Sequence, residues 1–208
     1  MPRKKRPLDR DMGVVRDASL VIIACEDTYA VKQYFARFHT RKVQFHVLAT
    51  EGGRSSPKDV LARLDAAKND YATEDGDSFW VCMDTDHWVE ANHIRNLRDV
   101  LRQCRQKGYE VAISNPCFEL WLLLHFEEYT QTTEVPCSDV ADALRQAAGS
   151  YRKDACDRLA IEPSQVDVAV ARAKAMDRGL EDVLPSYPVT RVYRLLELLK
   201  ERDAIRLL

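Results

Sequence analysis

The sequence predicts an α/β protein: a Rossmann-like parallel sheet of about four strands with flanking helices, followed by an all-helical C-terminal extension. Three observations carry this reading. Short apolar runs rich in β-branched residues alternate with helix-like segments as far as Tyr129. The first of them, SLVIIAC, is continuously apolar, as expected of a buried parallel strand. After Tyr129 the strand-like runs stop, and helical patterns take over.

In chain order, residues 1–12 form a charged tail with basic residues clustered inside positions 3–10. Such a run reads as a solvated terminus, with a phosphate-contacting arm as the alternative. SLVIIAC (19–25) is the first buried strand, and Asp27 or Thr28 can cap a helix over about 29–39. VQFHVLAT (43–50) is the second strand, closed by EGGRSSP, after which Pro57 suits the first position of a helix to about Asn69. FWVCM (79–83) is the third strand and ends at Asp84-Thr85-Asp86. A helix over 89–107 follows, ended by Gly108, and YEVAIS (109–114) is the fourth strand. Asn115-Pro116 then opens the apolar segment that carries Glu119. Helices near 138–147, 163–180 and 189–205 complete the chain, and the last has an apolar stripe that suits packing or a homodimer face. The expected organisation is one structural unit: tail 1–12, α/β core 13–129, helical extension 130–208 packed on the core.

Composition narrows the function classes. With 46% hydrophobic and 31% charged residues, the chain can build a core and remain soluble. A net charge of −2 gives no global basic field, so contact with nucleic acid requires a local patch. No apolar run reaches the roughly 18 residues of a membrane span. The basic N-terminus lacks the apolar stretch of a secretory signal, which points to the cytoplasm. Six scattered cysteines (25, 82, 104, 117, 137, 156) contain no CxxC pair. They read as reduced, mostly buried thiols, preferred over a disulfide framework or a thiolate metal site at Cys25, Cys82 and Cys117.

The acidic residues carry the chemistry. Glu26 follows the first strand, Asp84 and Asp86 follow the third, and Glu119 lies just after the fourth. In an open α/β sheet, ligands bind beyond the carboxyl ends of the strands. Carboxylates gathered there repel one another unless a cation joins them. An all-oxygen set suits Mg²⁺ or Mn²⁺, which gives the outline of a phosphoryl-transfer site. A DxD pair is also used by haloacid-dehalogenase-type phosphatases, but there it follows the first strand, commonly as DxDx[TV]. Here it follows the third and is succeeded by His87-Trp88.

Strand-then-Glu26 followed by Asp84-Thr85-Asp86 resembles the acidic pattern of a Toprim domain. More narrowly, FWVCMDTDHW, ISNPCFELWLLLHF and PVTRVYRLLELL resemble the RloB-like family. In that family the first motif usually reads EGxxTE before a Tyr-Phe pair. Glu26 matches the leading acid and Tyr34-Phe35 the pair, while Asp27 replaces the glycine and Ala30-Val31 replace Thr-Glu. The resemblance implies a Toprim nuclease related to the OLD family, cutting DNA, RNA or tRNA with Mg²⁺ or Mn²⁺. It further implies an anti-phage or abortive-infection role beside an ABC-type ATPase. The altered first motif leaves a second reading: a catalytically weakened subunit that binds metal or nucleotide and acts through protein contacts. A nucleophilic tyrosine region, needed for topoisomerase-like activity, is not evident.

On the nuclease reading, Asp84 and Asp86 hold the metal, and Glu26 completes the site or handles the proton. Glu119 supports the ion, with Asn115 one helical turn earlier. His87, Lys32, Arg54 and Lys58 are candidates for contacting the substrate phosphates. His125, Trp80 and Trp121 are expected in the core, and Trp88 at solvent.

Overall fold

The computed structural model describes residues 18–38, 41–71, 73–86, 91–133, 135–179 and 184–202, excluding the side chains of 91–93. His87 and Trp88, and the tail at 1–12, therefore lie outside the described residues.

Four parallel strands form where the apolar runs predict them: β1 (Ser19–Cys25), β2 (Val43–Leu48), β3 (Ser78–Asp84) and β4 (Glu110–Asn115). A fifth strand, β5 (Val189–Thr190), pairs antiparallel with β4, so the sheet order is β2-β1-β3-β4-β5. The extension is thus not all helical. Its Thr190 and Ser114 exchange a 2.9 Å hydroxyl contact, and the Arg191 amide donates to the Ile113 carbonyl at 2.8 Å. Two residues are too short to show a period, which is why the sequence pattern there reads as helix alone.

The helices are α1 (Ala30–Phe35), α2 (Pro57–Asp70), α3 (Ala91–Gln106), α4 (Phe118–Leu123), α5 (Cys137–Ala148), α6 (Pro163–Met176) and α7 (Val192–Glu201). A 3-10 helix (Lys153–Arg158), not anticipated from sequence, follows α5. Side chains alternate across the sheet. Leu20, Ile22, Val81 and Met83 face α2 and α3, whereas Val21, Ile23, Trp80 and Cys82 face α1 and the helices from α4 onward. All six residues of α4 are buried, five of them apolar and the sixth Glu119.

Two devices fix the extension. Asp177, beyond α6, accepts from Arg191 Nε (3.1 Å) and Nη2 (3.2 Å), from Arg194 Nη2 (2.9 Å) and from Tyr193 Oη (3.1 Å). The Asp177 and Arg191 side chains are both buried, at 4% and 3% exposure. The second device is a disulfide between Cys117 and Cys137, which joins the start of α4 to the start of α5. This corrects the expectation of six reduced thiols. Burial had pointed the right way for Cys25, Cys82, Cys104 and Cys156, which are free and buried. Sequence spacing cannot show that two distant cysteines meet. The bond closes a loop of sequence separation 20, so its reduction is expected to cost about 3 kcal/mol of stability. Thermal unfolding with and without dithiothreitol measures this, and identical curves would remove any stabilising role.

Candidate active site at the β1–β3 switch point

The sheet order reverses between β1 and β3, the place where doubly wound sheets open a crevice for ligands. The ends of both strands are tied together there: the Asp84 backbone N–H donates to Glu26 Oε1. Asp84 is buried and feels three further carboxylates, those of Glu26, Glu119 and Asp86. Burial first, then repulsion from Glu26 and Glu119, holds its carboxyl well above the usual carboxylate range. Sequence reasoning grouped these four acids; in the structure Glu26, Glu119 and Asp86 lie near enough to Asp84 to repel its charge, although among the described residues no three of these carboxylates come within 4.8 Å of one another.

The DTD turn is pinned from below by the Asn115-Pro116 segment. The Thr85 amide donates to the Ser114 and Pro116 carbonyls at 3.0 Å, and the Asp86 amide to the Pro116 carbonyl at 3.1 Å. Thr85 Oγ1 donates to Asn115 Oδ1 at 2.6 Å, and Asn115 Nδ2 donates to the carbonyls of Pro185 (3.2 Å) and Tyr187 (2.9 Å). Asn115 was expected one helical turn before Glu119 and facing substrate. It is instead the last residue of β4, buried, with both ends of its amide engaged in holding loops. The Asn115-Pro116 peptide is cis.

Glu119 is met by the extension. Tyr151 Oη donates to Glu119 Oε1 at 3.1 Å, and Lys153 Nζ lies 3.7 Å from the same oxygen. Its Oε2 lies 3.6 Å from Cys137 Sγ. Lys153 also pairs with Asp27 Oδ2 at 3.2 Å. Burial works against the Lys153 charge, but Glu119, Asp27 and Asp84 outweigh it and push its pKa above the ordinary lysine value. Lys153 is therefore a fixed ammonium and no general base. Nothing in its sequence neighbourhood, YRKDACDR, marks it for this place.

Asp27, standing where the family pattern has glycine, has a structural task. Its Oδ1 accepts from the Tyr29 and Ala30 amides and caps α1, as its residue type predicts. A second residue missed from sequence is Arg63 on α2. Its Nη2 donates to the Cys25 carbonyl (2.6 Å) and to Thr50 Oγ1 (2.9 Å), and its Nη1 to the Arg54 carbonyl (2.6 Å). It fastens the end of β1 to the loop after β2.

The proposed phosphate contacts fare differently. Lys32, Arg54 and Lys58 are exposed. Lys32 lies near His46 on β2, and a cation paired with the carboxylates of Asp27 and Glu119 is Lys153. Trp80 and Trp121 are core residues, as expected. His125 is too: its Nδ1 donates to the Trp121 carbonyl at 3.0 Å, and its Nε2 accepts from Tyr34 Oη at 3.1 Å. Burial pushes its pKa down to about 4, so it is neutral at pH 7.

Cys117, Glu119 and Cys137 place their ligand atoms within 4.8 Å of one another. With the two sulfurs bonded to each other, neither offers the thiolate that a metal needs.

A family model for RloB-like protein matches residues 21–199. The chain belongs to the RloB-like family. The match runs from β1 to α7, so it includes every site residue named above and the Asp177 cluster. In this RloB-like chain, PVTRVYRLLELL is explained by packing: it supplies β5, the Arg191 and Arg194 partners of Asp177, and the buried face of α7. No curated protein and no solved structure matches the chain significantly. None of the helices among the described residues is long and apolar enough to cross a membrane.

Proposed function

We propose that this RloB-like protein is a Mg²⁺- or Mn²⁺-dependent nuclease with a Toprim-type site, hydrolysing phosphodiesters of DNA, RNA or tRNA. The observation that carries the proposal is Asp84: a buried carboxyl at a strand-order switch, crowded by Glu26, Glu119 and Asp86. The donor set is oxygen only, and its charge exceeds what Lys153 offsets, so a hard divalent cation fits it. Asp84, Asp86 and Glu26 would hold that ion. When bound, it supplies an activated water and neutralises charge on the scissile phosphate. Glu26 is oriented by the Asp84 amide through Oε1. Asp86 is oriented by its own amide on the Pro116 carbonyl. Lys153 balances Asp27 and Glu119, which keeps Glu119 from adding its full charge to the site. The biological setting that goes with this reading is an anti-phage effector in the cytoplasm, working beside an ABC-type ATPase.

The test is incubation of the purified protein with DNA, RNA and tRNA in Mg²⁺ or Mn²⁺, alone and with its ATPase. Cleavage that disappears in both Asp84→Ala and Glu26→Ala supports the proposal; cleavage unchanged in these variants would falsify the site.

One observation favours a second reading, that of a catalytically weakened subunit acting through protein contacts. Ala30 and Val31, where the family pattern has Thr-Glu, are buried residues of the first turn of α1 and offer no carboxylate, while both oxygens of Asp27 are already engaged. Absence of cleavage under every condition, with ATPase binding intact, selects this reading.

Lys153 gives a measurement that does not depend on cleavage. Removing a fixed positive charge beside the acids strengthens their hold on a cation. Lys153→Gln is expected to bind Mg²⁺ several-fold more tightly by calorimetry. Weaker binding would mean that Lys153 positions Glu119 for the ion instead of competing with it.

A further inference from the structure

Charge is distributed evenly over most helices of this chain. The sequence of α2 has Lys58, Arg63 and Lys68 alongside Asp59, Asp65 and Asp70, and that of α7 has Arg194 and Lys200 alongside Glu197 and Glu201. Helix α3 is the exception. Between Ile94 and Gln106 it carries Arg95, Arg98, Arg102 and Arg105 against one carboxylate, Asp99. All four arginines are exposed, while Leu97, Val100, Leu101 and Cys104 are buried against the sheet. At 100° per residue the four fall within an arc of about 80°, so they form one stripe along the helix. Asp99 meets Arg102 at 3.3 Å in an exposed pair, which water and salt weaken.

The stripe is also placed relative to the candidate site. β3 ends in Asp84, and α3, which begins at Ala91, packs back along the sheet with Arg95 nearest that end. From Arg95 to Arg105 the helix rises about 15 Å, a length over which a duplex presents roughly nine phosphates. A chain of net charge −2 has no general affinity for polyanions, so four exposed arginines against one aspartate make α3 a local basic patch. Arginine, with its planar fork, is the side chain suited to phosphate oxygens.

We propose that the Arg95–Arg98–Arg102–Arg105 stripe of α3 is a track for the phosphodiester backbone of a nucleic-acid duplex, leading to the Asp84 site. This rests on the nuclease reading for its direction, but its test does not use cleavage.

The test is fluorescence-anisotropy titration of a labelled DNA duplex of about 20 base pairs, in EDTA, over a series of salt concentrations. Wild type is compared with the quadruple Arg→Gln variant and the quadruple Arg→Lys variant. Glutamine and lysine both suit an exposed helix, and matching circular dichroism and melting curves verify the fold. The Gln variant is expected to bind at least tenfold more weakly at low salt. Its plot of log affinity against log salt should be shallower by about three to four. The Lys variant should recover most of the affinity and the slope. Equal affinity and slope in wild type and Gln variant, or no binding of the duplex by wild type at low salt, overturns the proposal. Wild-type binding lost in the Gln variant, in a protein that cleaves nothing, keeps the track and removes the nuclease reading.

Discussion

Asp84→Asn is expected to cut nucleic acid far more slowly than wild type yet to unfold at higher temperature in divalent-free buffer at pH 7. The activity loss should be about a hundredfold or more, because an electrostatic group aimed at the reacting phosphate is removed. The stability gain follows from the sign of the Asp84 shift. Its carboxyl in the folded protein titrates above the usual carboxylate range, through burial and then through Glu26 and Glu119. The folded state therefore binds a proton that the unfolded state has already released. Stability falls as pH rises from the unfolded carboxylate value, ~3.9, up to the folded one. Asparagine does not ionise and escapes this cost. Mg²⁺ should raise the melting temperature of wild type, since it binds the folded site alone, and raise that of Asp84→Asn less. A variant that melts no higher than wild type in EDTA would show that the acids do not strain one another.

The second large effect lies far from the acids. Asp177→Ala is expected to lower unfolding free energy by about 3–5 kcal/mol, because it breaks a buried ion pair by removing the carboxylate that accepts from Arg191, Arg194 and Tyr193. Burial opposes the Asp177 charge, but hydrogen bonds and attraction from Arg191, with help from Tyr193, outweigh it and hold its pKa below the ordinary value. For a depressed carboxyl, the stabilisation is present above the unfolded value, ~3.9, and is lost as pH falls through the folded one. Urea unfolding of wild type at pH 7 and at stepwise lower pH should show this loss, and Asp177→Asn should show less of it. A difference below about 1 kcal/mol between Asp177→Ala and wild type at pH 7 would reduce the cluster to a surface contact.

Much of the site was legible because its residues stand at strand ends. Apolar runs locate β1, β3 and β4, and the residues after them must gather at one edge of a parallel sheet, which groups Glu26, Asp84, Asp86 and Glu119. Asn115 was misplaced because the same pattern cannot tell the last residue of a strand from the first turn of a helix. The arginines of α3 were in plain view as a periodicity, but only the burial of Leu97, Leu101 and Cys104 shows which flank faces solvent.

By itself, the sequence determined the parallel core, its helices and the edge on which the acids meet, since these follow from local periodicity and chain connectivity. The tertiary structure decided everything that joins distant segments: β5 on β4, Cys117 with Cys137, Arg191 on Asp177, and Lys153 between Asp27 and Glu119. The physical reason is one of range. A strand or helix is selected by neighbours within a few residues, whereas the partner of a buried charge is whichever opposite charge the packed chain carries to it.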